Sequence, residues 1–224
     1  MTNQEIREEK IEAKTKAKEI EVEFYNGLNS VNKFNPSVTF YGSARIKEGS
    51  KYYEMVRNLA YRISSELKYA VLSGGGPGIM EASNKGAYEA GEKSVGLTIE
   101  LPREQETNKY VTDEISFNFF FSRQSTMSYS TEVCIFCPGG FGTLSELFDI
   151  LTLKQTKKIG KVPVILYGKN FWKPVEKLIK KVLLKKYNTI DKKDLELFII
   201  TDDEDKILEI IKKSKIRTGE DALE

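Results

Sequence analysis

The sequence of 224 residues contains no histidine, and this absence restricts its chemistry more than any other feature of the composition. Without imidazole there is no histidine-dependent catalytic triad, no His-ligated zinc and no imidazole acid–base catalyst. The two cysteines, Cys134 and Cys137, are too few for a disulfide scaffold or a four-cysteine metal site. Any catalysis must therefore use carboxylates, lysine, arginine, tyrosine, cysteine, hydroxyl or backbone groups.

Long apolar runs and a net charge excess are also missing. No run approaches the ~18 residues that span a bilayer, and the polar start MTNQEIREEK is not a signal peptide. Lys plus Arg is 35 and Asp plus Glu is 33, so the formal charge is +2, whereas a dedicated DNA-coating protein carries a basic excess. We expect a cytoplasmic protein with neither a membrane nor a nucleic-acid partner.

The pattern of the chain predicts three parts. Residues 4–24 mix both charge signs with few apolar positions, which indicates an exposed helix. This helix and the linker after it form an N-terminal helical appendage over residues 1–36. Residues 37–216 are predicted to be a single domain, and residues 217–224 a polar tail.

Within the predicted domain, short apolar runs alternate with segments of helical periodicity. The predicted strands are residues 38–41, 70–72, 95–99, 115–121, 133–137, 162–167 and 198–201. The predicted helices are residues 55–67, 79–90, 123–131, 143–157, 172–187 and 205–213. Continuous apolar strands between helices predict an α/β fold of three layers, Rossmann-like, with a central parallel sheet flanked by helices.

Two glycine-rich loops follow predicted strands and precede predicted helices: SGGGPG at residues 73–78 and PGGFGT at residues 138–143. In open α/β sheets ligands bind beyond the carboxyl ends of the strands, and a glycine-flanked helix N-terminus suits phosphate. Neither loop fits G-x-G-x-x-G, and G-x-x-x-x-G-K-[ST] is absent. A tight turn with positive φ would explain one such loop, but two loops in one sheet favour phosphate binding.

The segment TLSE at residues 143–146 also matches a capping box. In that motif Thr143 caps a helix and Glu146 reaches back to the cap. From spacing alone, capping explains Thr143 and Glu146 slightly better than catalysis does.

The segment PGGFGTLSE at residues 138–146 resembles the hallmark P-G-G-x-G-T-x-x-E of the LOG family. These are cytokinin-activating nucleoside 5′-monophosphate phosphoribohydrolases, long mislabelled as lysine decarboxylases. GSAR at residues 42–45, GGGPGIMEA at residues 74–82, and Leu101-Pro102 with Glu104-Gln105 resemble other family segments. The resemblance runs from about residue 38 to about residue 211, and the N-terminal helix and the GGGPGIME wording resemble the longer subgroup.

The resemblance implies a hydrolase that cleaves the N-glycosidic bond of AMP or an N6-substituted AMP, giving free base and ribose 5-phosphate. Glu146 would stabilise an oxocarbenium-like ribose and accept a proton from water, while Arg123 orients Glu146 and keeps it ionised. The expected phosphate- and nucleotide-binding residues are Ser43, Gly75, Gly76, Gly78, Gly139, Gly140, Gly142 and Thr143. No cofactor and no metal are expected.

Three further positions stay open. Arg45 is either a phosphate or ribose contact or part of a structural ion pair. Glu81 is either a contact for water or the ribose hydroxyls, or an exposed glutamate in a first helical turn. Gln124 stands where the family has the lysine of an Arg-Lys pair, so we expect it to alter substrate affinity or preference more than the reaction.

Two other functions are compatible with this fold. One is a non-catalytic carrier of a phosphorylated ligand, as in molybdenum-cofactor carriers, and the other is single-stranded DNA binding, as in a DNA-processing family. Arg123 with Glu146 at the family's spacing favours the enzyme, and the charge of +2 disfavours DNA. A pyridoxal-phosphate decarboxylase is rejected, since no Schiff-base lysine site is indicated. The family implies a homodimer or a higher homo-oligomer, in which each subunit can complete the site of the other.

Overall fold

The structure is a computed structural model that describes residues 3–100 and 106–216, with side chains from Lys10 onward. The family-like segment Leu101-Pro102 with Glu104-Gln105, and the predicted polar tail at residues 217–224, lie outside the described residues. No helix in the described part of the chain is long and apolar enough to cross a bilayer.

Strands and helices alternate along the chain as the apolar pattern predicts. The strands are β1 (Ser37–Tyr41), β2 (Ala70–Ser73), β3 (Ser94–Ile99), β4 (Asp113–Phe117), β5 (Val133–Phe136), β6 (Val164–Leu166) and β7 (Ile199–Ile200). The helices are α1 (Asn3–Val31), α2 (Lys51–Leu67), α3 (Ile79–Glu89), α4 (Phe120–Tyr129), α5 (Phe141–Gln155), α6 (Lys169–Leu178) and α7 (Glu204–Lys213). Helix α6 continues as a π-helical segment over Ile179–Lys186, and short 3₁₀ turns span Asn32–Phe34 and Lys192–Glu196.

The seven strands form one sheet in the order β4-β3-β2-β1-β5-β6-β7, and every neighbouring pair is parallel. This confirms the predicted three-layer, Rossmann-like α/β fold. Strand order reverses between β1 and β5, where Tyr41 pairs with Phe136 at the carboxyl ends of the strands. A crevice therefore opens beyond these two strands, which is where ligands bind in sheets of this kind.

Each face of the sheet packs against its own layer of helices. Val38 and Phe40 of β1 join a core with α2, α3 and α7, while Tyr41 joins a second core with α4, α5 and α6. The end of α1 belongs to that second core, since Val31 is fully buried in it. Because helices cover both faces of the sheet, successive residues of a strand are buried, and the strands are therefore continuous apolar runs in the sequence.

The predicted strand at residues 115–121 is wrong at its end. Strand β4 stops at Phe117, and helix α4 begins at Phe120. The carboxylate of Glu23 in α1 accepts hydrogen bonds from the backbone N–H groups of Asn118 and Phe119, at 2.6 and 3.2 Å. The chain turns there because a side chain, not a neighbouring strand, binds these amides.

Candidate active site

The loops after β1, β2 and β5 are bonded to one another at the carboxyl ends of the strands. The backbone N–H of Ser43 donates to the Pro138 carbonyl at 3.1 Å, and that of Ile79 donates to the Ser43 carbonyl at 3.0 Å. These loops and the first turns of α4 and α5 surround an open cleft of about 680 Å³. Among its lining residues are Ser43, Arg45, Met80, Phe120, Arg123, Gly140, Phe141, Gly142, Thr143 and Glu146.

Helix α5 begins at Phe141 with Gly140 as its N-cap, so the capping-box interpretation is wrong. Thr143 is the third helical residue, and no described side chain caps this end. The first intrahelical bond runs from the Leu144 N–H to the Gly140 carbonyl at 3.0 Å. The preceding N–H groups have no partner within the helix, so they and the helix dipole provide an anion site at the edge of the cleft.

The glycines of the two loops serve different purposes. Gly75 and Gly78 both have φ of +72°, and a Cβ there would lie 2.8 Å from the Thr98 methyl group and from the Ala44 carbonyl carbon respectively. At Gly140 and Gly142 the backbone is outside the left-handed region, and apart from the chain neighbours and the backbone of α5 itself, no described atom lies within 4 Å of an added Cβ. The first loop therefore needs glycine for its own turn, whereas the second leaves free space beside the helix N-terminus.

The other predicted loop glycines lie further from the cleft. Gly75 and Gly76 line a smaller side pocket of about 160 Å³ that adjoins the cleft. Gly78 and Gly139 are not among the described residues that line either cavity. Gly139 has a packing role, because an added Cβ would collide with the buried side chain of Thr143.

Arg123 and Glu146, which are 23 residues apart in sequence, meet in the lining of the cleft. Nη1 of Arg123 lies 3.9 Å from Oε1 of Glu146, and the two side chains are 11% and 20% exposed. The Arg123 Nε donates to the Leu97 carbonyl of β3 at 2.6 Å, which fixes the guanidinium. Gly74 leaves room for it, since a Cβ there would collide with Nη2.

Burial raises the pKa of Glu146 to about 7, and the positive charge of Arg123 opposes this rise. Burial likewise lowers the pKa of Arg123, with the charge of Glu146 opposing the change. The charge of Arg123 thus favours the ionised form of Glu146, as the prediction requires, but burial acts against it more strongly. At 3.9 Å the pair is too long for a hydrogen bond, so desolvation outweighs the Coulomb attraction and Glu146 titrates near neutral pH.

The three positions left open by the sequence, Arg45, Glu81 and Gln124, lie in different places relative to the cleft. Arg45 is exposed at the cleft and makes no ion pair with any residue that the structure describes. Glu81 is half-buried, accepts a hydrogen bond from the Tyr53 hydroxyl at 3.0 Å and does not line the described cleft. Helix α4 lines the cleft with Phe120, Arg123 and Met127, and Gln124 lies off that face.

Several residues at the cleft were not predicted from sequence. Tyr41 lies in the wall with its ring stacked on Phe136, with ring centres 4.4 Å apart and planes within 7°. Phe120 and Phe141 are 60% and 94% exposed at the rim. In the sequence, each of these two residues is an aromatic residue that begins a helix shortly after a strand, and this position could have indicated that it lies at the cleft. The described residues contain no group of three His, Cys, Asp or Glu side chains able to hold a metal.

The parallel sheet and the crevice at its reversal point define a Rossmann-like α/β protein, and the crevice holds a partly buried acid beside a helix N-terminus. The chain belongs to the LOG family, whose sequence profile, described as "possible lysine decarboxylase", matches residues 80–211.

Two relatives and one solved structure illustrate the family and the fold. An uncharacterised protein of Archaeoglobus fulgidus is 30% identical over 132 residues, which is 56% of this chain and 84% of that protein. A cytokinin riboside 5′-monophosphate phosphoribohydrolase of Arabidopsis thaliana is 26% identical over 59% of this chain and 64% of its own length, less than two thirds of it. The molybdenum cofactor carrier protein of Chlamydomonas reinhardtii has a TM-score of 0.60 at 23% identity, covering 80% of this chain and 96% of that one, which shows the shared fold alone.

Proposed function

We propose that this protein hydrolyses the N-glycosidic bond of a purine nucleoside 5′-monophosphate, such as AMP or an N6-substituted AMP. The observation that carries the proposal is the partly buried Glu146–Arg123 pair, which lines a cleft together with an uncapped helix N-terminus. Relatives named as phosphoribohydrolases support it.

The 5′-phosphate binds at the start of α5. The backbone N–H groups of Phe141, Gly142 and Thr143 donate to its oxygens, and Gly140 and Gly142 leave the space that it fills. Arg45, which has no acidic partner among the described residues, adds a positive charge at the same cleft. Ser43 has a positioning role, since its hydroxyl accepts a hydrogen bond from the Arg45 backbone N–H at 3.0 Å.

Glu146 in its ionised form acts on the ribose. As the bond between C1′ and the base nitrogen breaks, its electron pair leaves with the base and positive charge develops on the ribose, which the carboxylate stabilises. Water attacks C1′ and gives a proton to Glu146, while the departing base takes a proton from solvent. Arg123, held by the Leu97 carbonyl, orients Glu146 without forming a close pair that would neutralise it.

A non-catalytic carrier of a phosphorylated ligand is the alternative that the fold allows. Glu146 argues against it. A desolvated carboxylate repels a bound phosphate and costs free energy to bury, so a site that only carries an anion gains nothing from it.

A homodimer is part of the proposal. Phe120, Phe121 and Phe141, at the starts of α4 and α5, are 60%, 64% and 94% exposed. These three exposed rings provide apolar area for a contact with a second copy of the chain, and the ring of Phe121 also lies 6.4 Å from that of Phe24 in α1.

The direct test is incubation with AMP, followed by chromatography for adenine and assay of ribose 5-phosphate. Equal amounts of both products support the hydrolase. Binding of AMP without release of adenine would support the carrier instead.

A further inference from the structure

Helix α1 binds the turn at which α4 begins. Oε1 of Glu23 accepts hydrogen bonds from the backbone N–H of Asn118 at 2.6 Å and from its side-chain amide at 3.1 Å. Oε2 accepts from the Phe119 N–H at 3.2 Å. Phe119 is the N-cap residue of α4, and its ring cannot accept the hydrogen bonds that a serine or aspartate would accept at this position. The start of α4 is therefore held by a side chain of another helix, α1.

The half-buried carboxylate of Glu23 is ionised at neutral pH. Burial alone would raise its pKa, but the hydrogen bonds that it accepts at this turn, first among them the one from the Asn118 backbone, lower its pKa below the ordinary value. The dipole of α4 also favours a negative charge at its N-terminus. Hydrogen bonds to a carboxylate are stronger than hydrogen bonds to a neutral side chain, so this contact fixes the turn firmly.

The same face of α1 packs closely against both elements that meet at this turn. Gly27 lies one helical turn after Glu23, and a Cβ there would lie 2.7 Å from the ring of Phe117 in β4 and 2.8 Å from Oγ1 of Thr126 in α4. The Phe24 ring lies 6.4 Å from a ring of α4. Because α1 and α4 are in direct contact on both sides of the carboxylate, the position of one constrains the position of the other.

The start of α4 leads directly to the reacting pair. The Arg123 N–H donates to the Phe119 carbonyl at 3.1 Å, which is the first hydrogen bond within this helix. Phe119 therefore links Glu23, which binds its N–H, to the backbone of Arg123. The guanidinium of Arg123 lies 3.9 Å from the Glu146 carboxylate, so a displacement of the first turn of α4 changes this distance.

We propose that Glu23 is a positioning residue, which sets the distance between Arg123 and Glu146 by fixing the start of α4. The inference rests on the proposed function for its effect on catalysis. Glu23 does not line the described cleft, so it acts through Arg123 and not on the ligand. A longer distance between Arg123 and Glu146 weakens the attraction that favours the ionised acid, because Coulomb energy falls with distance.

The titration of Glu146 tests this role without any nucleotide. In protein with 13C-labelled glutamate, the Glu146 carboxyl signal is the one that disappears in Glu146→Gln, and its chemical shift against pH gives the pKa. We expect Glu23→Ala to raise the pKa of Glu146 by about 0.5–1 unit, which is part of the roughly 1–3 units that a nearby opposite charge provides. Glu21→Ala is the matched control, since Glu21 is exposed on the same helix, and it should leave this pKa unchanged.

Glu23→Gln is the conservative variant. Its side chain keeps one acceptor oxygen for this turn but loses the charge, so it should raise the pKa of Glu146 in the same direction by a smaller amount. Circular dichroism shows whether each variant folds. If Glu23→Ala does not fold, the titration of Glu23→Gln decides the test.

The kinetics should divide in a characteristic way. A displaced Arg123 affects the reacting atoms, whereas the proposed phosphate site at α5 is untouched. Glu23→Ala should therefore lower kcat for AMP by about 10- to 100-fold while KM changes by less than about threefold. The pH midpoint of adenine release should rise together with the pKa of Glu146, and Glu23→Gln should recover part of the lost kcat. A residue that only stabilises the fold would leave the midpoint unchanged.

The outcomes separate the two proposals. An unchanged titration of Glu146 in the folded Glu23 variants would overturn the positioning role and leave the hydrolase standing. A raised pKa of Glu146 in Glu23→Ala, with no release of base from any nucleotide even by the wild-type protein, would overturn the hydrolase and leave the positioning role standing.

Discussion

Glu146 is the residue whose environment decides the chemistry. Its carboxylate is removed from water and lies 3.9 Å from a cation, and the loss of hydration prevails, so that its pKa rises to about 7. A general base is most effective when its pKa lies near the working pH. The sequence identifies this residue through its motif, but not its pKa, which depends on burial and on a distance to another helix.

The activity should rise with pH through about 7. Only the ionised carboxylate stabilises the ribosyl cation and accepts a proton, so kcat/KM for AMP should increase as pH passes the pKa of Glu146. The measurement is a pH profile of adenine release between about pH 5 and 9. A profile flat across this range would exclude Glu146 as the titrating group.

The contribution of Glu146 to the free energy of unfolding should fall with rising pH, whereas the activity should rise. An acid whose folded pKa is raised from 4.5 to about 7 binds more protons in the folded state, so its contribution to stability is lost as pH rises through this interval. We expect Glu146→Gln, which stays neutral, to gain about 1–3 kcal/mol relative to wild type on going from pH 4 to pH 8. Urea unfolding at both pH values measures this, and an identical pH dependence in the two proteins would contradict it.

At the scale of elements, the glycine loops show what a sequence pattern leaves undecided. The two loops look alike in sequence, yet only Gly75 and Gly78 need positive φ, while Gly140 and Gly142 have open space. Thr143 and Glu146 match a capping box in spacing, but α5 starts before Thr143 because Gly140 takes the N-cap position. Element boundaries depend on backbone angles that spacing does not fix.

Alanine at one glycine of each loop should separate these roles. Gly142→Ala places a methyl group in the proposed phosphate space inside a helix, so AMP binding should weaken at least tenfold while stability holds or rises by up to about 1 kcal/mol. Gly75→Ala places a side chain on a backbone with positive φ, and its Cβ would lie 2.8 Å from the Thr98 methyl group. This variant should lower the free energy of unfolding by about 1–3 kcal/mol. Urea unfolding and AMP titration of both variants make the comparison. Unchanged AMP affinity in Gly142→Ala would contradict the proposal that the phosphate binds at the N-terminus of α5.

At the scale of the whole molecule, most of the architecture follows from the sequence. Strands buried on both faces read as apolar runs, and strand–helix alternation leads to a parallel sheet. The predicted strand at residues 115–121 extends too far because Glu23, distant in sequence, accepts hydrogen bonds from the amides that follow β4. The meeting of Arg123 with Glu146 depends on the order of strands and loops in space.

The proposed homodimer predicts a mass twice the 25.5 kDa of the chain. Phe121, 64% exposed and outside the described cleft lining, lies in the surface offered for the partner. Phe121→Ser should shift the protein toward monomer because it removes apolar area from that contact. Tyr187→Ser, which changes a side chain 61% exposed after the π-helical segment, is the control. Light scattering during gel filtration gives the mass, and a monomeric wild-type protein would refute the dimer.

The measurement that tests the account most directly is the turnover of Glu146→Gln with AMP, alongside its AMP affinity. Glutamine fills the same space without a charge. Since Glu146 takes no part in a cap, the loss of activity is not confounded with a lost helix terminus. The account predicts that adenine release falls by roughly 10²–10⁴-fold while AMP still binds. Near wild-type release of adenine by this variant would contradict the proposed mechanism.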